Sequence, residues 1–360
     1  MGSERIKEKS PRVVLIASEG TICEYSTFLQ HLLVGLADAS IPVAFVCPPA
    51  WDKESVFPAA EVIEHPVFDI PCMGPLNTRL LAERLIRFKP TVLHCLCESK
   101  ASVTRQLAHR LDVPYVLAVN AFQRRWKPLP VSSTHCAKIV VPAQSVAANI
   151  AGAQPRFSDR IEQINIGTFV TDTAVCFSEP TQIPTLMTTH RFDHIDEYEN
   201  LLGVVRHLLI DGYEFMMVVV GVGRGDRQLW KLLAALDLLH IVTLVPRGMP
   251  WHALLASGDI FIRPRPRCSF DPQLLEAMSL GAAVAACRGG VDDLIVEDQT
   301  ALVFDPNDEL SILRTLREFL DRRERARQMA ENSLTYLREN HSVSRMIAAT
   351  IQVYCGIHTW

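Results

Sequence analysis

No apolar run in the 360 residues approaches the length that spans a bilayer, so a transmembrane helix is not expected. The ten cysteines are scattered, with no paired CxxC spacing, which argues against a structural zinc site. Only Cys95 and Cys97 lie close together. There is no internal repeat and no low-complexity tract. The first dozen residues are charged and polar rather than apolar, so no secretory signal is expected. A net charge of −4 gives no global reason to bind nucleic acid. These absences predict a soluble protein. Thiols kept reduced place it in the cytoplasm, with the inner face of a membrane as a peripheral alternative.

What is present is a 48% hydrophobic chain, long enough for two cores. Apolar runs at 13–18, 43–47, 61–63, 91–97, 115–120, 137–141 and 162–166 alternate with helical patterns at 26–39, 78–88, 99–111 and from 145. Gly20 falls in the turn after the first strand, and His94 sits within the fourth. Residues 168–181 have no strong period and read as a linker. A second alternation comes next: strands at 185–189, 216–220 and 242–245, with helices at 201–209 and 229–238. Strands alternating with helices in both halves predict an α/β chain of two Rossmann-like parallel sheets. Cys47, Cys95, Cys97 and Cys287 lie in predicted strands, where a thiol serves as a small apolar filler.

The stretch 259–305 is the most informative. Residues 260–264 form a short apolar strand, and Arg263, Arg265 and Arg267 alternate with prolines immediately before Cys268. An extended conformation would place all three guanidiniums on one face, directed at phosphate or at solvent. Asp271 is a candidate N-cap with Pro272 at the first helical position, and the helix 273–280 stops at Gly281. The small-residue run 283–287 suits a central parallel strand. Arg288-Gly289-Gly290 then turns toward an expected helix beginning near Val291, whose N–H groups and dipole would face an anion. Glu276, on the neighbouring helix, is placed to accept hydrogen bonds from the vicinal hydroxyls of a ribose. A ribose clamp beside a phosphate cradle is a nucleotide site.

Pro264, Phe270, Leu275-Glu276-Ala277-Met278, Gly281 and Gly289-Gly290 stand without a gap at the spacing of a known donor-binding core. In these residues the chain resembles the GT-B glycosyltransferases of family 4, the glycogen-synthase-like retaining group. The resemblance implies two Rossmann-like domains facing a central cleft. Residues 11–170 would form an acceptor-side domain, 171–340 a nucleotide-sugar domain, and 341–360 a helix packing back on the first. It implies transfer of a sugar from a nucleotide-diphosphate sugar with retained configuration and no metal or cofactor. Arg191 would face the diphosphate together with the Gly289–Gly290 turn, and Glu276 would hold the ribose. Gly20 and Arg224 would contribute to the donor cleft, and His94 falls where relatives carry a histidine at a strand end.

The same resemblance exposes departures. Cys268 stands where relatives have the first of two glutamates separated by seven residues. Asn120 replaces a histidine near the donor sugar, and Glu199 replaces a lysine expected at the diphosphate. His94 and Asn120 remain the candidates for a catalytic role, with a satisfied core histidine as the alternative for His94. A non-catalytic GT-B protein, serving as partner subunit or sugar-nucleotide-binding module, is therefore carried beside the transferase. A sugar-nucleotide epimerase is a third alternative. The acceptor is left open between a glycan, a lipid-linked and a small molecule. The loop Gln123-Arg124-Arg125-Trp126-Lys127-Pro128 reads first as a solvated turn, and otherwise as a contact for an anionic acceptor or lipid headgroups.

Overall fold

The computed structural model describes residues 10–49, 60–65, 74–124, 126, 128–179, 181–189, 198–222, 226–246 and 254–357. The chain divides into two compact units. One comprises Met1–Gly167 together with Val343–Trp360, and the other Thr168–Ser342.

The first unit is built on seven strands: β1 Val13–Ile16, β2 Val43–Cys47, β3 Glu61–Glu64, β4 Val92–Cys95, β5 Tyr115–Ala118, β6 Cys136–Val141 and β7 Ile161–Gln163. They pair in parallel in the order β3-β2-β1-β4-β5-β6-β7. Helices α1 Glu19–Glu24, α2 Ser26–Asp38, α3 Gly74–Phe88, α4 Ala101–Leu111 and α5 Gln144–Ala153 intervene. Every residue of β1, β2 and β4 is buried, as expected for strands covered on both faces. The edge strand β3 carries a glutamate at each end, which discourages pairing with another chain. The winding reverses between β1 and β4, the place where doubly wound sheets open a crevice at their strand ends.

The second unit holds β8 Thr185–Thr189, β9 Met216–Val222, β10 Val242–Pro246, β11 Ile260–Arg263, β12 Ala283–Cys287 and β13 Leu302–Phe304, with helices α6 Glu199–Ile210, α7 Asp226–Ala235, α8 Pro272–Ser279, α9 Glu309–Asp321 and α10 Arg323–Asn340. Its sheet is parallel in the order β10-β9-β8-β11-β12-β13, and the winding reverses between β8 and β11. The last helix, α11 Val343–Ile357, joins the first unit. Met346, Ile347, Val353, Tyr354 and Ile357 share a core with Leu29, Leu32, Leu33 and Leu36 of α2. Gly35 permits the close approach, since a Cβ there would lie 2.6 Å from Ile347 Cγ1.

Three local expectations are overturned. The expected turn around Gly20 is helical: Ser18 caps α1 by accepting the Thr21 N–H, so Gly20 lies inside a helix rather than in a loop. The segment 168–181 is no loose linker, because Ala174, Cys176 and Phe177 are buried in the second core. Asp259 fixes this segment by accepting from the Phe177 N–H and, at 2.8 Å, from the Thr185 N–H. No helix succeeds Gly289-Gly290. Residues 291–300 run through turns closed by the Ile295 N–H to the Asp292 carbonyl and by Thr300 Oγ1, which takes the Val296 N–H. Side chains that satisfy the backbone locally compete with helix formation here.

Candidate functional site

The end of β11 and the residues after it gather the candidate donor-site residues of the second unit that lie among the described residues. Asp271 caps α8 by accepting the Leu274 N–H at 3.2 Å, with Pro272 in the first turn, as the sequence pattern required. Gly281 comes after the helix at φ +79°, where a Cβ would lie 2.8 Å from Ala174 Cα. Glu276 is buried on α8, while Cys268 is an exposed free thiol.

The three arginines do not share a face. The strand ends at Arg263, so a period of two does not extend to Arg265 and Arg267. Arg263 is buried and donates Nη2 to the Gly289 carbonyl at 3.2 Å. Arg265 donates to Asn307 Oδ1 at 2.9 Å. Arg267 forms an ion pair with Asp271 at 2.7 Å and also donates to Gln273 Oε1 at 3.2 Å. Its backbone forms a bridge with Gly290, and its carbonyl takes the Val291 N–H at 2.7 Å.

The expected phosphate cradle is altered in the same way. Without a helix after Gly290 there is no aligned dipole end. The Gly289 N–H donates to Asp292 Oδ2 at 3.0 Å, so a carboxylate occupies that amide. Gly289 and Gly290 have φ of +102° and +72°. At Gly290 a Cβ would lie 1.9 Å from the Arg267 carbonyl oxygen, so only glycine fits. Glu199 is the exposed first residue of α6, where a carboxylate suits the helix N-terminus. Arg191 and Arg224 lie outside the described residues.

In the first unit, His94 on β4 and Asn120 beyond β5 line one narrow, mostly apolar pocket with Thr21, Tyr25, Phe28 and Met346. His94 is buried, and burial alone lowers its pKa to about 3, so the ring is neutral at physiological pH. Its Nδ1 lies 2.6 Å from the Tyr354 hydroxyl, while Nε2 has no partner among the described residues. Asn120 is held by its backbone. Its N–H and that of Ala121 both donate to Glu98 Oε1, at 2.7 and 3.0 Å. Burial raises the Glu98 pKa against those hydrogen bonds. Gly20 is exposed at the start of α1, with nothing within 4 Å of a Cβ placed there. Trp126 is exposed and carries the Arg124 guanidinium 5.5 Å from its ring, while Arg125 and Lys127 lie outside the described residues.

Two functional candidates escape sequence reasoning. Glu98 belongs to no motif, although an acidic residue just past a buried strand is positioned to bind neighbouring loop amides. Cys97 is more than a strand filler, because β4 ends at Cys95. The Cys95 thiol donates to the Cys97 carbonyl at 3.1 Å, and Ser99 Oγ donates to the Cys97 Sγ at 3.3 Å. Among the described residues, no group of three or more His, Cys, Asp or Glu is arranged to hold a metal ion. No helix among them is long and apolar enough to cross a membrane.

Two doubly wound parallel sheets on one chain, the last helix returning to the first sheet, define the GT-B class of α/β architecture. Residues 177–335 match the family model for glycosyl transferases, group 1. It is 26% identical over 294 residues to sulfoquinovosyl transferase SQD2 of Arabidopsis thaliana, a match covering 71% of this chain and 54% of that protein. The chain thus spans about half the length of this curated relative. Among solved structures, a glycosyltransferase from Rickettsia africae ESF-5 superimposes with a TM-score of 0.78 at 15% identity, covering 97% of this chain and 99% of that one. Anabaena Alr3699/HepE in complex with UDP and glucose gives a TM-score of 0.78 at 12% identity, over 95% and 98% of the two chains. These structural likenesses speak for the fold.

Proposed function

We propose that this protein is a glycosyltransferase that moves a sugar from a nucleotide-diphosphate sugar to an acceptor hydroxyl, with retention of configuration and without a metal. The observation that carries the reading is the match of residues 177–335 to the group 1 glycosyl transferases. That segment holds the six strands of the second sheet, with Arg263 at the end of β11, Glu276 buried on α8 and the Gly289-Gly290 turn after β12. Glu276 would hold the ribose, and the backbone of the glycine turn would meet the diphosphate. The UDP bound to Anabaena HepE in its crystal structure makes UDP the first nucleotide to try.

Catalysis would rest on electrostatic stabilisation of the departing diphosphate, and Arg191 and the arginine-rich segment after β11 are the cations available for it. The acceptor, whether glycan, lipid-linked or small molecule, would be taken by the first unit, where His94 and Asn120 line the pocket. The neutral state of His94 suits hydrogen bonding to a hydroxyl better than it suits holding a charge.

A second reading is favoured by one observation: Cys268 offers an exposed thiol where relatives are expected to place a sugar-binding glutamate. A thiol is a weak hydrogen-bonding group, and a protein that binds the nucleotide without turning it over would fit it. The test is thermal-shift screening against UDP, GDP, ADP and their sugar conjugates, with Glu276→Ala as control, then donor hydrolysis assays. A midpoint raised by one nucleotide and lost in Glu276→Ala supports the donor site. Hydrolysis of the matching sugar donor then separates the enzyme from the binding protein. No shift with any nucleotide would sink both.

A further inference from the structure

Arg263 is 2% exposed at the end of β11, and no carboxylate pairs with it among the described residues. Of its three donor nitrogens only Nη2 has a partner, the Gly289 carbonyl, whereas Nε and Nη1 reach none among the described residues. Burying a guanidinium so poorly compensated is unfavourable, and an apolar side chain would fill a strand position paired with Ala286 at lower cost. Stability of the sheet therefore does not account for the residue. Its one contact does. The peptide unit is planar and trans, so the Gly289 carbonyl and the Gly290 N–H point in opposite directions. Both glycines have positive φ and lack a Cβ, so the orientation of this peptide is set by what holds it: the backbone bridge between Arg267 and Gly290 beside it, and Arg263 on its carbonyl.

The neighbouring amides are already committed. The Gly289 N–H goes to Asp292 and the Val291 N–H to the Arg267 carbonyl. Of the three amides 289–291, that of Gly290 is the one without a partner among the described residues, and Gly290 is only half-buried. The turn also sits beside the reversal of winding between β8 and β11, where doubly wound sheets bind their ligands.

We propose that Arg263 is a positioning residue of the donor site. By holding the Gly289 carbonyl it turns the Gly290 N–H outward, ready to donate to a phosphate oxygen of the nucleotide sugar. This inference rests on the nucleotide-sugar reading, and its test separates the two. The full chain, labelled with ¹⁵N, is titrated with UDP and separately with inorganic phosphate, and the Gly290 amide resonance and the thermal midpoint are monitored. Wild type is expected to respond to UDP at both. Arg263→Met is expected to keep or raise the midpoint without nucleotide, to lose at least tenfold in UDP affinity, and to show no UDP-dependent shift at Gly290. Arg263→Lys, which can still donate to the Gly289 carbonyl, is expected to recover part of both. A wild type that responds to no nucleotide defeats the donor reading and this inference together. If wild type binds UDP and Arg263→Met binds it equally well with the same Gly290 shift, the positioning role alone is overturned. A response to inorganic phosphate as strong as that to UDP would place a free anion at the turn and overturn the assignment to the donor.

Discussion

The Tyr354 hydroxyl lies 2.6 Å from His94 Nδ1, joining the last helix to a central strand from which it is separated by 260 residues of sequence. The two rings meet edge to face, with centroids 5.7 Å apart. Tyr354→Phe keeps the ring and removes the hydroxyl that partners a buried imidazole nitrogen. Leaving such a group unsatisfied costs about 1–3 kcal/mol, which urea unfolding of the full chain should register as a lower midpoint at unchanged slope.

The neutral state of His94 also makes a pH prediction. Its pKa is about 3 folded and about 6.5 unfolded, so between those values the unfolded chain binds the extra proton. The histidine's contribution is fully present above pH 6.5 and declines as the pH falls toward 3, by up to about 1.4 kcal/mol per pH unit. His94→Phe should flatten the stability profile between about pH 6.5 and 4 relative to wild type. Parallel profiles for the two proteins would contradict the burial argument.

Two glycines should respond in opposite directions. Gly290→Ala forces a Cβ to within 1.9 Å of the Arg267 carbonyl at φ +72°, and a loss of roughly 3 kcal/mol or more is expected. Gly20→Ala meets nothing within 4 Å inside a helix and should stabilise by about 0.5–1 kcal/mol. Thermal or urea midpoints of the two variants check both signs.

The carboxylate on the Gly289 N–H competes with any anion brought to the turn. Asp292→Ala frees that amide and removes a negative charge. On the proposed function UDP affinity should rise on the order of tenfold, the worth of one charge-assisted hydrogen bond. Calorimetric titration with UDP reads this directly, and a weaker affinity would show that Asp292 shapes the turn rather than blocks it.

Cys268→Glu would restore the pair of glutamates, with seven residues between them, that the resemblance leads one to expect. The exposed position tolerates the longer side chain without displacing core atoms. If the sugar is read from this position, UDP-sugar should gain stabilisation over UDP in the variant and donor turnover should rise. Equal effects of UDP and UDP-sugar would place sugar recognition elsewhere.

Buried strands are legible because their apolar runs are uninterrupted: 43–47 and 283–287 are located to the residue. The cap formed by Asp271, Pro272 and Gly281 is legible because each needs a specific residue type. The turns after Gly290 are not, because a glycine pair signals the end of one conformation and is silent about the next. Asp292 and Thr300 decide it through hydrogen bonds to backbone several residues away. The common face expected of the arginines fails for a related reason. Alternation gives a common face only while the strand continues, and the strand stops at the first of them. Glu98 and Tyr354 are invisible in the sequence because their meaning lies in partners far along the chain, with Tyr354 contacting His94 and Glu98 holding the amides of Asn120 and Ala121.

Because α11 returns to the first unit, synthesis and folding of that unit are out of step. Tyr354, Met346 and Val353 belong to the core of a unit whose other residues end at Gly167, so the whole of Thr168–Ser342 is translated before that core can close. At roughly 5–20 residues per second the nascent first sheet waits on the order of ten seconds or longer with the apolar face of α2 uncovered. The second unit, contiguous in sequence, has no such wait. It is the natural early folder, and the first unit is the one whose nascent form would most need a chaperone.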